Sequence, residues 1–204
     1  MTVPTIAVLD YGMGNLHSVS RALVRVGGDV TVTADPGAVN RSAALVIPGV
    51  GHIGACLRAL EAGGGAEAIR GAAAAGKPVF GVCVGMQVLF EGSEEAAEPG
   101  LGLLPGRSRR LTGDVKVPHM GWNTVGWVAA HPYVGAVADG TRFYFVHSYA
   151  PDVDACTVGS TEHGRPFAAV VARDNVFATQ FHPEKSADAG LAIYAAFVKD
   201  VTSS

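Results

Sequence analysis

Cys83 sits between two glycines in the segment Gly81-Val82-Cys83-Val84-Gly85. The residues before it, 78–82, form a short apolar run typical of a buried strand, and residues 86–90 begin a helical pattern. A nucleophile on a sharp strand-to-helix turn needs small neighbours, because its backbone is crowded against both elements. Such a turn pushes the side chain out at the carboxyl end of a sheet. The amino end of the following helix would lower the thiol pKa. The backbone N–H of Val84 would help hold a developing oxyanion.

A thiol nucleophile also needs a base, and the base needs an orienting group. His182-Pro183-Glu184, at the end of an apolar run over residues 176–181, offers both. Strand alternation would place His182 and Glu184 on one side, with Pro183 stiffening the link. Taken singly, a free cysteine is more often a small buried hydrophobe and a His-Pro-Glu segment a surface turn. Taken together, the two segments point to a Cys83–His182–Glu184 triad. Cys56 and Cys156 lack such a context and read as core or structural residues. No pair of the remaining histidines has the i, i+4 spacing of a helical metal site, which argues against a catalytic zinc.

These residues must be carried by a regular scaffold. Residues 5–10, 30–33, 44–47 and 78–82 read as buried strands. Between them, helical spacing places Leu16, Val19, Leu23 and Val26 on one face, and further helices are expected at 55–62 and 66–75. Alternating strands and helices with fully apolar strands imply a parallel sheet covered on both faces. The second half changes style. Residues 142–150, 155–161 and 166–172 are β-rich, 173–175 looks like a hairpin loop, and a helix over 187–199 ends the chain. The Gly-, Pro- and Glu-rich stretch 94–106 reads as a surface loop. The expected architecture is one α/β domain over residues 1–204, with a mixed, mainly parallel central sheet between helix layers and antiparallel additions.

Composition bounds what this domain could do. Of 204 residues, 49% are hydrophobic and 16% charged, enough apolar surface for a sizeable core. A net charge of −3 leaves no electrostatic footprint for nucleic acid or anionic lipid. The first residues show no basic region followed by an apolar stretch, so no signal peptide is expected. Three cysteines cannot all pair, which suits free thiols in a reducing cytoplasm.

Gly81-Val82-Cys83-Val84-Gly85-Met86-Gln87 and Thr179-Gln180-Phe181-His182-Pro183-Glu184 resemble the two signatures of the class I, triad-type glutamine amidotransferases. Four further segments narrow the likeness: Asp10-Tyr11-Gly12-Met13-Gly14-Asn15, Pro48-Gly49-Val50-Gly51, Pro118-His119-Met120-Gly121-Trp122-Asn123 and Val146-His147-Ser148-Tyr149. Their set and order are similar to the glutaminase subunits of imidazole glycerol phosphate synthases. The resemblance implies the fold of that class and hydrolysis of glutamine through a Cys83 glutamyl thioester, without a cofactor. It implies that Gln87, Gly51, Ser148 and Tyr149 contact glutamine, and that Val50 and Gly51 lie on a strand whose peptide must turn an N–H toward the oxyanion. It also implies a heterodimer with a (β/α)₈-barrel cyclase that receives the ammonia, with Asn15, Met120, Trp122 and Lys185 facing that partner. On burial alone, Met120 and Trp122 would instead be core residues. Val84 and Ile53 depart from the leucine and aromatic residue common at these positions.

Three rivals remain on the sequence. One is the glutaminase component of another class I amidotransferase, against which residues 10–15 and 118–123 argue. Another is a non-catalytic subunit on the same scaffold, against which the complete triad argues. The last is a cysteine hydrolase with a similar elbow, which would not explain residues 180–184.

Overall fold

The computed structural model describes residues 4–203. Residues 1–3, on which the expectation of no leader rests, and residue 204 lie outside the described part. The apolar runs of the first half become strands β1 (Thr5–Leu9), β2 (Asp29–Thr33), β3 (Ala44–Gly49) and β4 (Val79–Cys83). They alternate with helices α1 (Leu16–Arg25), α2 (Pro36–Arg41), α3 (Ile53–Ala62) and α4 (Gly65–Ala74). Helix α2 is additional to the sequence reading. Asp35 caps it by accepting from the N–H groups of Gly37 and Ala38, and Pro36 opens its first turn. With Val39 as its one buried apolar side chain, it carries too little periodicity to be legible.

After Cys83 the structure departs from expectation. The helix is a single turn, α5 (Val84–Gln87), and the chain then enters strand β5 (Phe90–Ser93). Val88, Leu89 and Phe90 are all buried, so the segment has no polar face to define a helix, and a ladder with β6 (Leu104–Arg110) captures it. The expected loop therefore ends earlier than read, at the start of β6.

The second half forms β7 (His119–Trp127), β8 (Thr141–His147), β9 (Tyr149–Pro151), β10 (Thr157–His163), β11 (Arg165–Arg173) and β12 (Val176–Thr179), closed by α6 (Ala187–Ser203). The β-rich run over residues 142–150 is broken at Ser148, where the chain leaves one sheet for another. Among the described residues, no helix is long and apolar enough to cross a membrane.

The main sheet has nine strands in the order β2-β1-β3-β4-β12-β11-β10-β7-β8. Its first five strands are parallel, and the rest are antiparallel to their neighbours. Strands β5, β6 and β9 make a second, three-stranded sheet. Every residue of β3, β4 and β12 is buried, as central parallel strands covered on both faces require. Helix α1 packs with α6, while α4 packs with both α2 and α3. Phe80, Phe177, Phe197, Tyr133 and Tyr194 interlock in edge and tilted contacts with centroids 5.0–5.7 Å apart, fastening α6 to the central strands.

Two relationships in this topology position the site. Gly49 pairs with Cys83 on one side of β4 and Thr179 pairs with Val82 on the other, so β3, β4 and β12 all end at one edge. Strand β8 is four places from β12 in the sheet, yet the Tyr144 carbonyl accepts from the His182 N–H just beyond β12 at 2.9 Å. The antiparallel half therefore curls back over the carboxyl ends of the parallel strands.

Candidate active site

Cys83 is the last residue of β4 and has φ +56° and ψ −111°, a conformation unusual for a residue with a side chain. Such strain persists only where the surroundings hold it, and here close packing does so. A Cβ on Gly85 would come within 1.8 Å of the Ile47 carbonyl oxygen, so only glycine lets the elbow pass that close to β3. The short α5 corrects one expectation: the dipole that can bear on the thiol is that of one helical turn.

The His182–Glu184 pair forms by a different route from strand alternation. Strand β12 ends at Thr179, and Pro183–Lys185 is a 3-10 turn that swings Glu184 behind the imidazole. His182 Nδ1 meets Glu184 Oε1 at 2.8 Å, with both side chains excluded from solvent. Since a carboxylate only accepts, Nδ1 carries the proton and Nε2 is the atom left to act. Nε2 is buried and makes no hydrogen bond of regular geometry in the resting structure. Burial alone would depress the His182 pKa, but the neighbouring Cys83 thiol and Glu184 carboxylate outweigh it and raise the value to about 10. The thiol itself rests against the Val146 carbonyl at 3.8 Å and receives the Gln180 side-chain N–H at 3.7 Å.

A cavity of ≈ 260 Å³ opens at this edge, and Val50, Gly51, Cys83, Val84, Gln87, Ser148, Tyr149 and His182 all line it. It is smaller than the pockets that hold drug-sized ligands, in the range for one amino acid. Four lining residues were not assigned from sequence: Glu95, Pro118, Val146 and His147. Glu95 lies in the Gly-, Pro- and Glu-rich stretch that reads from sequence as a surface loop. Its carboxylate accepts from the Ile53 N–H at the start of α3 and so fastens the loop over the cavity. Gln180, also unassigned, takes one amide proton of Gln87 at 3.0 Å, while the Tyr149 carbonyl takes the other at 2.8 Å. With both protons engaged, Gln87 has its amide oxygen left to offer a ligand.

The segment Pro48-Gly49-Val50-Gly51 is anchored on both sides of one peptide. The Tyr11 hydroxyl donates to the Pro48 carbonyl at 2.7 Å, and the Cys56 thiol donates to the Val50 carbonyl at 3.6 Å. Burial pushes both groups up, Cys56 to about 11, so each keeps its proton at neutral pH. Gly51 takes φ +89°, in the left-handed region that glycine enters without strain. Val50 and Gly51, expected on a strand, lie just past the end of β3 at Gly49, and Cys56, expected to be core, is buried as read but also holds this segment beside Cys83.

Met120 and Trp122 contradict the burial-based expectation that they are core: they are 64% and 46% exposed. Strand β7 is second from the sheet edge, and its alternate side chains face solvent. Trp122 meets Tyr144 edge-on, and Lys185 Nζ lies 5.7 Å from the centre of the same ring, so these three form one patch. Asn15 is the N-cap residue of α1 and makes no side-chain capping bond. The structure also gathers His119, His147 and His163 from three strands, a cluster that a search for helical spacing misses.

Comparison with known proteins bears on the fold and the family. The family model for glutamine amidotransferase class-I matches residues 7–201. Imidazole glycerol phosphate synthase subunit HisH of Halobacterium salinarum is 50% identical over 204 residues, covering 95% of this chain and 92% of the relative. The protein of the same name from Nitrosomonas europaea is 49% identical over 208 residues, covering 96% and 98%. Among solved structures, PurLQS from Thermotoga maritima superposes with a TM-score of 0.75 at 19% identity, covering 98% of this chain and 99% of that one. A further glutamine amidotransferase gives 0.74 at 18% identity, covering 96% and 98%. At that identity the structural likeness speaks for the fold alone, while the family model and the two relatives speak for descent. The chain belongs to the class-I glutamine amidotransferase family.

Proposed function

We propose that this chain is the glutaminase subunit of an imidazole glycerol phosphate synthase, acting in the cytoplasm as one domain over residues 1–204. Its reaction is hydrolysis of glutamine to glutamate and ammonia. Cys83 passes its thiol proton to His182 Nε2 and the thiolate attacks the side-chain amide carbon, the resulting oxyanion being held by backbone N–H groups of Val84 and of the Val50–Gly51 segment. His182 Nε2 gives its proton to the departing nitrogen, the C–N bond breaks, and ammonia leaves a glutamyl thioester on Cys83. Nε2 then takes a proton from water as the water attacks the thioester, and returns it to the Cys83 sulfur as the C–S bond breaks and glutamate leaves. Glu184 keeps the imidazole in the orientation and tautomer both steps need. Gln87, Gly51, Ser148 and Tyr149 hold the amino-acid part of the substrate.

The observation that carries this reading is the buried 2.8 Å contact of His182 Nδ1 with Glu184, which leaves Nε2 unpartnered in the same cavity as Cys83. The two relatives near 50% identity support the assignment to histidine biosynthesis. The exposed Met120, Trp122 and Lys185 side chains, with Asn15, suit a docking face for the cyclase subunit that would take the ammonia.

The test is to mix the purified chain with a cyclase subunit and measure glutamate release with and without the cyclase's nucleotide substrate. The chain alone should be nearly idle, the loaded complex active, and Cys83→Ala inactive. Trp122→Ala should weaken the complex by about 30-fold, the scale of a buried aromatic anchor. A chain that hydrolyses glutamine but ignores the cyclase would point to another class-I amidotransferase. A chain that stays inactive with every partner would overturn the glutaminase reading.

A further inference from the structure

Two buried histidines lie outside the chemistry just described, and their hydrogen bonds have only one consistent direction. His147 Nδ1 lies 2.9 Å from the Tyr149 carbonyl, which can only accept, so Nδ1 carries the hydrogen. In a neutral ring His147 Nε2 is then an acceptor, and it faces His119 Nδ1 at 3.2 Å, which must donate. His119 Nε2 becomes the next acceptor, facing the Asn123 side-chain nitrogen at 3.4 Å. The orientation of that amide is fixed independently: its nitrogen donates to the Glu162 carbonyl at 2.9 Å and its oxygen accepts from the Thr124 N–H at 2.9 Å. The chain ends on the Tyr149 carbonyl, which also accepts from Gln87.

We propose that His147 and His119 are positioning residues for the glutamine pocket, holding through this one-way chain the Tyr149 carbonyl on which the Gln87 amide is fixed. The proposal rests on the glutaminase reading of the cavity. The chain starts on β7, the strand that exposes Met120 and Trp122, and it ends at residues that line the cavity. From there Gln87 continues to Gln180, and Gln180 to the Cys83 sulfur. Stacking supports the arrangement: His119 lies face to face with His163 at 4.1 Å and with Phe145 at 4.9 Å, so the ring cannot rotate freely. Burial, the largest influence on both rings, lowers His119 to about 4 and His147 to about 3, which keeps them neutral at physiological pH. A charged ring would have two donors, and the direction of the chain would be lost.

Two measurements test this. Nitrogen NMR of the chain labelled in its histidines, free and bound to the cyclase, should find both rings neutral at about pH 7 with hydrogen on Nδ1. In the complex, His147→Phe should raise KM for glutamine about tenfold with kcat changed less than about threefold, the scale of one displaced hydrogen-bond anchor. His147→Gln, which keeps an N–H for the Tyr149 carbonyl, should recover most of that loss. His119→Phe, which preserves the stack, should give an intermediate KM. A protonated ring or hydrogen on Nε2 of His147 would overturn the proposal, and needs no variant to fold. So would an unchanged KM in a folded His147→Phe, or a loss in kcat and KM alike that Gln does not rescue. A wild-type complex that hydrolyses no glutamine would remove the glutaminase reading as well, whereas a failure confined to the variants would remove only the positioning role.

Discussion

Ser186 donates its hydroxyl to the His182 carbonyl at 2.7 Å while accepting the Tyr144 N–H at 3.0 Å. The side chain is buried, and with the bond from the His182 N–H to the Tyr144 carbonyl it rivets the turn carrying His182 onto β8. Removing it should move the imidazole more than it weakens the fold. In Ser186→Ala, kcat of the activated complex should fall about tenfold through misplacement of the base. Stability should drop by about 1 kcal/mol, the worth of a lost hydrogen bond. Steady-state kinetics beside a denaturant titration would check both, and an unchanged kcat would sink the idea.

The elbow makes a sterically stricter demand. Gly85→Ala adds a carbon where the Ile47 carbonyl oxygen already sits, and both neighbours are backbone in a central, fully buried part of the sheet. The variant should lose about 3 kcal/mol or more, or fail to accumulate folded. Chemical denaturation of whatever folds, compared with wild type, reads this directly. A variant of near wild-type stability would show that the elbow relaxes more easily than its packing suggests.

Tyr11 and Cys56 frame the peptide between Gly49 and Val50. Their bonds tie down the Pro48 and Val50 carbonyls, which confines any reorientation near the oxyanion to the peptide lying between them. Tyr11→Phe and Cys56→Ala should each lower kcat of the activated complex about fivefold, with KM for glutamine little altered. That is well short of the loss expected when an oxyanion donor is removed outright. An increase in KM with kcat preserved would place the effect on substrate binding instead.

The buried histidines make stability sensitive to acid. The folded pKa values of His119 and His147, about 4 and about 3, lie below the ordinary 6.5. Below about pH 6.5 the unfolded chain takes up protons that the folded chain refuses, so stability falls as pH drops from there toward the folded values. His163 and His182 are the titratable groups that bear on His147 besides His119, and their charge lowers it further. Urea midpoints measured between about pH 7 and about pH 4 should fall more steeply for wild type than for His147→Phe. Parallel curves would mean that His147 does not contribute.

Residue type and spacing along the chain were enough to single out Cys83, His182 and Glu184, which the structure brings to one edge of the sheet. They were also enough for the alternating strands and helices of the parallel half. Each of these is a local pattern: an apolar run, a glycine pair, a proline that stiffens a turn. The loop carrying Glu95, the strand hidden in Val88-Leu89-Phe90, the break at Ser148 and the exposure of Met120 and Trp122 were decided by tertiary structure alone. In each case the outcome depends on which distant segment arrives to pair with or cover the residue. The same holds for Gln180, whose motif was plain but whose contact with Gln87 and Cys83 exists only once β12 lies beside β4. His119, His147 and His163 come from strands β7, β8 and β10, so no spacing along the chain encodes their contact. The curl of the antiparallel half brings β8 over the ends of the parallel strands, and the cavity beside Cys83 exists because of it.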